Sequence, residues 1–315
     1  MDPCPEASMP KMFLELFDLT KPQAYETLAR AIWMKQTGYR SRLLEGKTIA
    51  LIFEKSSTRT RVSFEVAVRH LGGSTVYMSL QDSQLGRDEP VEDTIRVLSR
   101  YLDGLVMRTF AHANLERMMA HSAIPIVNAL SDDFHPCQVL GDVMTIAERE
   151  KDLGTVKVAW IGDGNNVAQS WINAAVYFPF ELALACPPGY EPDQKLLARA
   201  LDKGARITLT QDPDKALPKA NYVYTDVWAS MGQESQADSR RGAFEPYQVN
   251  SRAMGLAAPG AKFMHCLPAH QGEEVTTEVF ESPASIIWDQ AENRLHIQKA
   301  ILEWVYSPDD PTLDL

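Results

Sequence analysis

Residues 47–73 read "KTIALIFEKSSTRTRVSFEVAVRHLGG". The stretch "KTIALIF" (47–53) is a continuous apolar run, the mark of a β-strand buried on both faces. After a short polar segment, "TRTRVSFEVAVRHLGG" reads as an amphipathic helix that ends in glycines. A buried strand followed by such a helix is the repeating unit of a parallel sheet with helices on both faces.

The same alternation runs outward from this stretch. "STVYMS" (74–79), "GLVMR" (104–108) and "IPIVN" (124–128) read as strands, with helical stretches between them. "PCQVLGDVMTIAEREK" (136–151) reads as a long helix with proline at its start, where the missing N–H costs nothing. A second series then begins. Its strand candidates are "VKVAWIG" (156–162), "ELALAC" (181–186), "ARITLT" (205–210), "NYVYTDV" (221–227), "KFMHCL" (262–267) and "ASIIWD" (284–289). An amphipathic helix fits "AENRLHIQKAILEWVY" (291–306). The expected fold class is α/β: two doubly wound parallel-sheet domains, 1–150 and 151–290, joined by interdomain helices, with 291–306 packing back on the first domain. Ligands of open parallel sheets lie beyond the C-terminal ends of the strands, so the loops there are where chemistry is expected.

The totals agree with two domains. The chain has 315 residues, 45% hydrophobic and 23% charged, an ordinary globular composition. No run of 18 apolar residues occurs. The N-terminus lacks the basic start and apolar core of a secretory signal and is too acidic for a transit peptide. Cys4, Cys137, Cys186 and Cys266 show no metal or disulfide spacing. These features point to a cytoplasmic protein. A net charge of −11 argues against a nucleic-acid binder and makes any anion site a local device.

"SSTRTR" (56–61) has the makings of such a device. A helix start offers unpaired N–H groups and a partial positive charge, to which Ser57, Thr58 and Thr60 add hydroxyls and Arg59 a guanidinium. The competing reading is a plain N-cap by Ser57 or Thr58. "VMRTF" places Arg108 just beyond a strand, and "DDFHPCQVLGD" places His135 and Gln138 at the next helix start.

"VAWIGDGNNVAQS" resembles a dinucleotide fingerprint, but its third small residue would fall on Val167, and the next strand ends "ALACPPG" without an acid. Asn165 and Asn166 offer amides there instead, suited to a carboxylate or an amino-acid backbone. "YTDVWASMGQE" carries Asp226, Ser230 and Met231 after another strand; Asp226 suits an ammonium, and the segment through residue 240 suits a lid. "MHCLPAH" admits several readings: a low-ranking zinc site, a cysteine nucleophile, or a strand end whose sulfur and carbonyls shape a pocket. Neighbours on a strand face opposite ways, so His265 is not expected to serve as base for Cys266. Leu267–Pro268 is a candidate cis peptide.

Taken in order, "SSTRTR", "VMRTF", "HPCQ", "DVWASMG" and "HCLP" resemble the ornithine carbamoyltransferases over about residues 11–305. The first and third mark carbamoyltransferases generally; the last two mark the ornithine branch. Relatives acting on other amines such as putrescine differ there. The resemblance implies transfer of a carbamoyl group from carbamoyl phosphate to L-ornithine, without metal or cofactor. A nucleotide-dependent dehydrogenase is the remote alternative.

The resemblance also implies roles. Ser57, Thr58, Arg59 and Thr60 would hold phosphate, and Arg108 would bridge phosphate and carbamoyl oxygen. His135 and Gln138 would bind the carbamoyl group, and Arg294 would close that site. Asn166, Asp226, Ser230 and Met231 would hold ornithine, and Cys266 with the Leu267 carbonyl would position the amine and carbamoyl NH2. Gln84 in "DSQLGRDEP" would reach a neighbouring subunit's site, implying a homotrimer or a multiple of one. Gln271 departs from the arginine of many relatives.

Overall fold

The structure, a computed structural model, describes residues 10–79, 89–229 and 237–307. The first sheet holds β1 (Met12–Phe13), β2 (Thr48–Phe53), β3 (Ser74–Ser79), β4 (Gly104–Arg108) and β5 (Ile126–Leu130) in the order β1-β5-β4-β2-β3. The second holds β6 (Lys157–Ile161), β7 (Glu181–Ala185), β8 (Arg206–Thr210), β9 (Tyr222–Thr225) and β10 (Lys262–His265) in the order β10-β9-β6-β7-β8. Every pairing within them is parallel.

Around the first sheet lie α1 (Lys21–Thr37), α2 (Thr58–His70), α3 (Val91–Leu98), α4 (His112–Met119) and α5 (Pro136–Ala147). Around the second lie α6 (Asn166–Tyr177), α7 (Gln194–Asp202), α8 (Pro213–Ala216), α9 (Ala237–Phe244), α10 (Ser251–Leu256) and α11 (Thr277–Phe280). The helix α12 (Ile287–Tyr306) follows β10 and returns to pack on α1, α2 and α5.

The helix α5 is buried from Pro136 through Ile146, which explains its apolar sequence: it lies between the two halves. One contiguous core runs through it, from Val106 and Val127 in the first sheet to Trp160 and Tyr224 in the second, with Ile297 and Ile301 of α12 closing it. Trp160 stacks on Tyr224 with ring centroids 5.1 Å apart, and Trp171 meets Tyr224 edge-on at 5.7 Å. The two sheets are thereby fixed relative to one another through packed side chains.

"ASIIWD" is not a strand: Ser285 makes a single bridge to Phe263, and the chain turns into α12 at Ile287. Ile286 and Ile287 are apolar because they bury the start of a helix, and a short apolar run does not distinguish the two cases. Nor does the reading of strands and helices include α1, although its start is well marked. Thr20 and Gln23 form a reciprocal capping box there, with proline in the first turn.

Candidate active site

The strand ends converge. Register pairs Phe53 with Arg108, so the turn after β2 lies level with the end of β4. In the second sheet β6 sits between β9 and β7, and the loops after β6, β9 and β10 carry Asn165, Asp226 and Cys266.

Ser57 is the N-cap of α2. Its Oγ accepts the Thr60 N–H at 3.3 Å and donates to Thr60 Oγ1 at 3.1 Å. Arg294, about two turns into α12, donates from Nη2 to the same Thr60 oxygen at 2.7 Å. Both lone pairs of this buried hydroxyl are then occupied, which leaves its own O–H to donate. The side chain of Thr58 is exposed.

Arg59, Arg108 and Arg294 meet at this point, and the buried Nε of each has no partner. Burial pushes the Arg108 guanidinium down to about 10, with Arg294 and Arg59 pressing the same way. Arg294 is also lowered, first by burial and then in part by Arg59. Asp226 is the carboxylate that offsets this for both Arg59 and Arg108. The pocket is short of negative charge.

His135 takes the N-cap position of α5 without a side-chain capping bond, and its N–H donates to Ser170 Oγ at 2.8 Å. The ring is buried with Nδ1 unpartnered. Burial, then Arg294, Arg108 and Arg59, holds it well below the usual histidine range, so the imidazole is neutral. One turn on, Gln138 donates from Nε2 to Asp142 at 2.8 Å while its Oε1 is buried without a partner.

The opposite wall is built around Asp226. Asn165 caps α6 by accepting the N–H groups of Val167 and Ala168, and its Nδ2 donates to Asp226 Oδ2 at 2.8 Å. Asn166 spans the cleft, donating to the Ser131 carbonyl at 2.6 Å. Asp226 Oδ1 accepts the Cys266 thiol at 2.9 Å and the Val227 N–H at 2.8 Å. Burial, then the Asp226 charge, raises the Cys266 thiol well above its ordinary value. A nucleophilic cysteine needs the reverse environment, so Cys266 is a hydrogen-bond donor.

Leu267 adopts a left-handed backbone at φ 60°, uncommon for a non-glycine residue, ahead of a cis bond to Pro268. Its N–H donates to His265 Nδ1 at 2.8 Å, so His265 carries its proton on Nε2, which faces Glu274 at 3.2 Å. His265 thus braces the Leu267 turn and is not paired with Cys266. Ligand atoms of Asp226, His265 and Cys266 do lie within 4.8 Å of one another, as do those of His270, Glu273 and Glu274. In the first group the His265 nitrogens and the thiol are already engaged in the hydrogen bonds above.

The glycines of the apparent nucleotide fingerprint serve the protein itself. A Cβ at Gly164 would lie 2.2 Å from Pro192 N, because the loop after β7 crosses directly over it. Asp163, beside it, is buried and paired with Arg240 of α9; burial pushes the acid up to about 6 despite that partner. Arg240 also donates to the Trp228 carbonyl.

Residues 11–148 match the carbamoyl-P binding domain of aspartate/ornithine carbamoyltransferases, and residues 154–305 match the Asp/Orn binding domain of the same family. The ornithine carbamoyltransferase of Nitratidesulfovibrio vulgaris is 61% identical over 95% of this chain and 100% of its own length. The chain belongs to the ornithine carbamoyltransferase family. Among solved ornithine carbamoyltransferases, that of Pyrococcus furiosus superposes with a TM-score of 0.89 at 48% identity, covering 94% of this chain and 97% of its own. The anabolic enzyme of Campylobacter jejuni superposes at 0.90 with 40% identity, covering 94% and 98%.

Within this ornithine carbamoyltransferase fold, Arg59, Thr60, Arg108, His135 and Arg294 gather in one pocket, with Asp226 and Cys266 joined on the facing wall. Gln84, Ser230 and Met231 lie outside the described residues. The sequence reading passed over Asp142, Tyr224 and Gln290, which hydrogen-bond to one another beneath Gln138. The one local signal was an acid on an otherwise buried apolar helix, four residues after Gln138.

Proposed function

We infer that this chain transfers the carbamoyl group of carbamoyl phosphate to the side-chain amine of L-ornithine, giving L-citrulline and phosphate. The observation that carries the reading is the convergence of Arg59, Arg108 and Arg294, each with an unpaired Nε, beside a neutral His135. Such a cluster suits an anionic substrate whose reaction needs charge stabilisation and no covalent enzyme intermediate.

In this reading Ser57, Thr58, Arg59 and Thr60 hold the phosphate at the start of α2. Arg108 bridges phosphate and carbamoyl oxygen, Arg294 closes the site, and His135 and Gln138 bind the carbamoyl group. Asn166, Asp226, Ser230 and Met231 hold ornithine, while Cys266 and the Leu267 carbonyl position the attacking amine. Residues 1–150 thus serve carbamoyl phosphate and 151–290 serve ornithine.

The lone pair of the neutral amine forms a bond to the carbamoyl carbon, and the carbonyl electron pair moves onto oxygen. Arg59, Arg108, Thr60 and His135 stabilise that oxyanion. Its collapse breaks the bond to phosphate, which leaves with the electron pair and takes the amine proton.

The same reading extends to context. A role in arginine biosynthesis is supported by similarity to the anabolic Campylobacter jejuni enzyme. Cytoplasmic location is supported by the cysteine pattern. Among the described residues no helix is long and apolar enough to cross a membrane. A homotrimer with Gln84 reaching the neighbouring site completes the assignment. The test is citrulline formation from carbamoyl phosphate with L-ornithine, L-lysine and putrescine as competing amines. Turnover confined to ornithine is expected; no citrulline from ornithine would overturn the reading.

A further inference from the structure

Asp142 is fully buried on α5, and the reaction scheme above makes no use of it. Its Oδ1 accepts Gln138 Nε2 at 2.8 Å and Gln290 Nε2 at 2.7 Å, and its Oδ2 accepts the Tyr224 hydroxyl at 2.9 Å. These donors come from α5, α12 and β9, so the carboxyl ties both sheets' layers and the returning helix together. Gln290 extends the chain: its Oε1 accepts the His265 N–H at 2.9 Å, one residue before Cys266.

A glutamine amide presents a donor end or an acceptor end, and turning the group over exchanges them. Asp142 holds the Gln138 NH2. The acceptor oxygen must then face away from Asp142, and Gln138 Oε1 is buried and unpartnered there. We propose that Asp142 is a positioning residue that fixes the Gln138 amide with its oxygen toward the carbamoyl group. The site thereby selects an acyl phosphate bearing NH2 over one bearing methyl.

The physical basis is asymmetric satisfaction. A buried acceptor facing NH2 gains a hydrogen bond, whereas the same acceptor facing methyl stays unpaired, and sites built to hydrogen-bond a ligand group reject analogues that lack it. If the amide could turn over, its NH2 would face the ligand NH2 and the preference would vanish. The proposal rests on the carbamoyl phosphate reading of the pocket.

The test compares carbamoyl phosphate, acetyl phosphate and inorganic phosphate by calorimetry on the full-length protein. Wild type should prefer carbamoyl over acetyl phosphate by about tenfold or more, on the scale of one buried hydrogen bond. Asp142→Leu should bring the two acyl phosphates within about threefold while leaving inorganic phosphate binding within about threefold of wild type. Asp142→Asn should restore the preference, because its oxygen still accepts from Gln138 and its NH2 faces the Tyr224 hydroxyl. A folded Asp142→Leu protein that keeps the preference, or weakens all three ligands alike, overturns the proposal. A wild type without preference instead brings down the reading of the pocket itself. Should Asp142→Leu not fold, 15N spectra of the wild type read the same bond. The Gln138 NH2 protons, assigned by their loss in Gln138→Ala, should exchange slowly with solvent; fast exchange overturns the proposal.

Discussion

Arg294 donates to Thr60 across 2.7 Å, joining residues 234 apart in the chain. The contact ties α12 to the first turn of α2 and sets a third guanidinium beside Arg59 and Arg108. Without an anion the three cations repel one another in a buried space.

That crowding sets up a paired outcome. Arg108→Ala should lower turnover by roughly a hundredfold or more, the scale for one preorganised stabiliser. The same change should leave the ligand-free protein as stable as wild type or more so, because it relieves repulsion. Thermal unfolding with and without inorganic phosphate checks both sides: wild type should gain stability from phosphate and the variant much less. Near-normal turnover in the folded variant would remove Arg108 from the pocket.

Cys266 makes a second case. Its thiol is held protonated by burial and by Asp226, so it should donate a hydrogen bond and form no carbamoyl-enzyme. Cys266→Ala should keep measurable turnover with a raised KM for ornithine, and intact-mass spectra of the working enzyme should show no carbamoyl adduct. A carbamoylated Cys266 would restore the nucleophile.

The neutral His135 has a pH signature. Its folded-state value lies well below the unfolded value of about 6.5. Below about pH 6.5 the unfolded chain therefore binds a proton that the folded chain refuses, and stability falls as pH falls. Urea midpoints at pH 5 and pH 7.5 should differ more for wild type than for His135→Gln. Equal differences would show that the ring is free to protonate in the fold.

Gly164 offers a test outside the chemistry. A Cβ there would meet Pro192 N at 2.2 Å and Glu191 C at 2.5 Å, both backbone atoms that cannot swing aside. Gly164→Ala should cost about 1–3 kcal/mol by overpacking, seen as a lower urea midpoint at unchanged slope. A midpoint equal to wild type would mean that the loop after β7 yields freely.

Local pattern was enough for much of this protein. The apolar run at 47–53 and the helix behind it define a parallel α/β unit, because burial on both sheet faces demands that composition. "SSTRTR", Arg108, His135 and Cys266 stand out because ligand-binding residues follow strand ends, and strand ends are marked by where apolar runs stop. Local pattern misread "ASIIWD", since burial makes strands and helix starts alike over a few residues. Tertiary structure alone decided what each polar group is for. Gly164 looks like a phosphate contact until Pro192 is seen lying over it. Asn165 looks like a ligand for substrate until its amide is seen capping α6 and fixing Asp226. Asp142 and Tyr224 are 82 residues apart, and Asp142 and Gln290 are 148 apart. A hydrogen bond depends on distance in space, and no periodicity in the chain records which distant donors a fold will bring to one buried carboxyl.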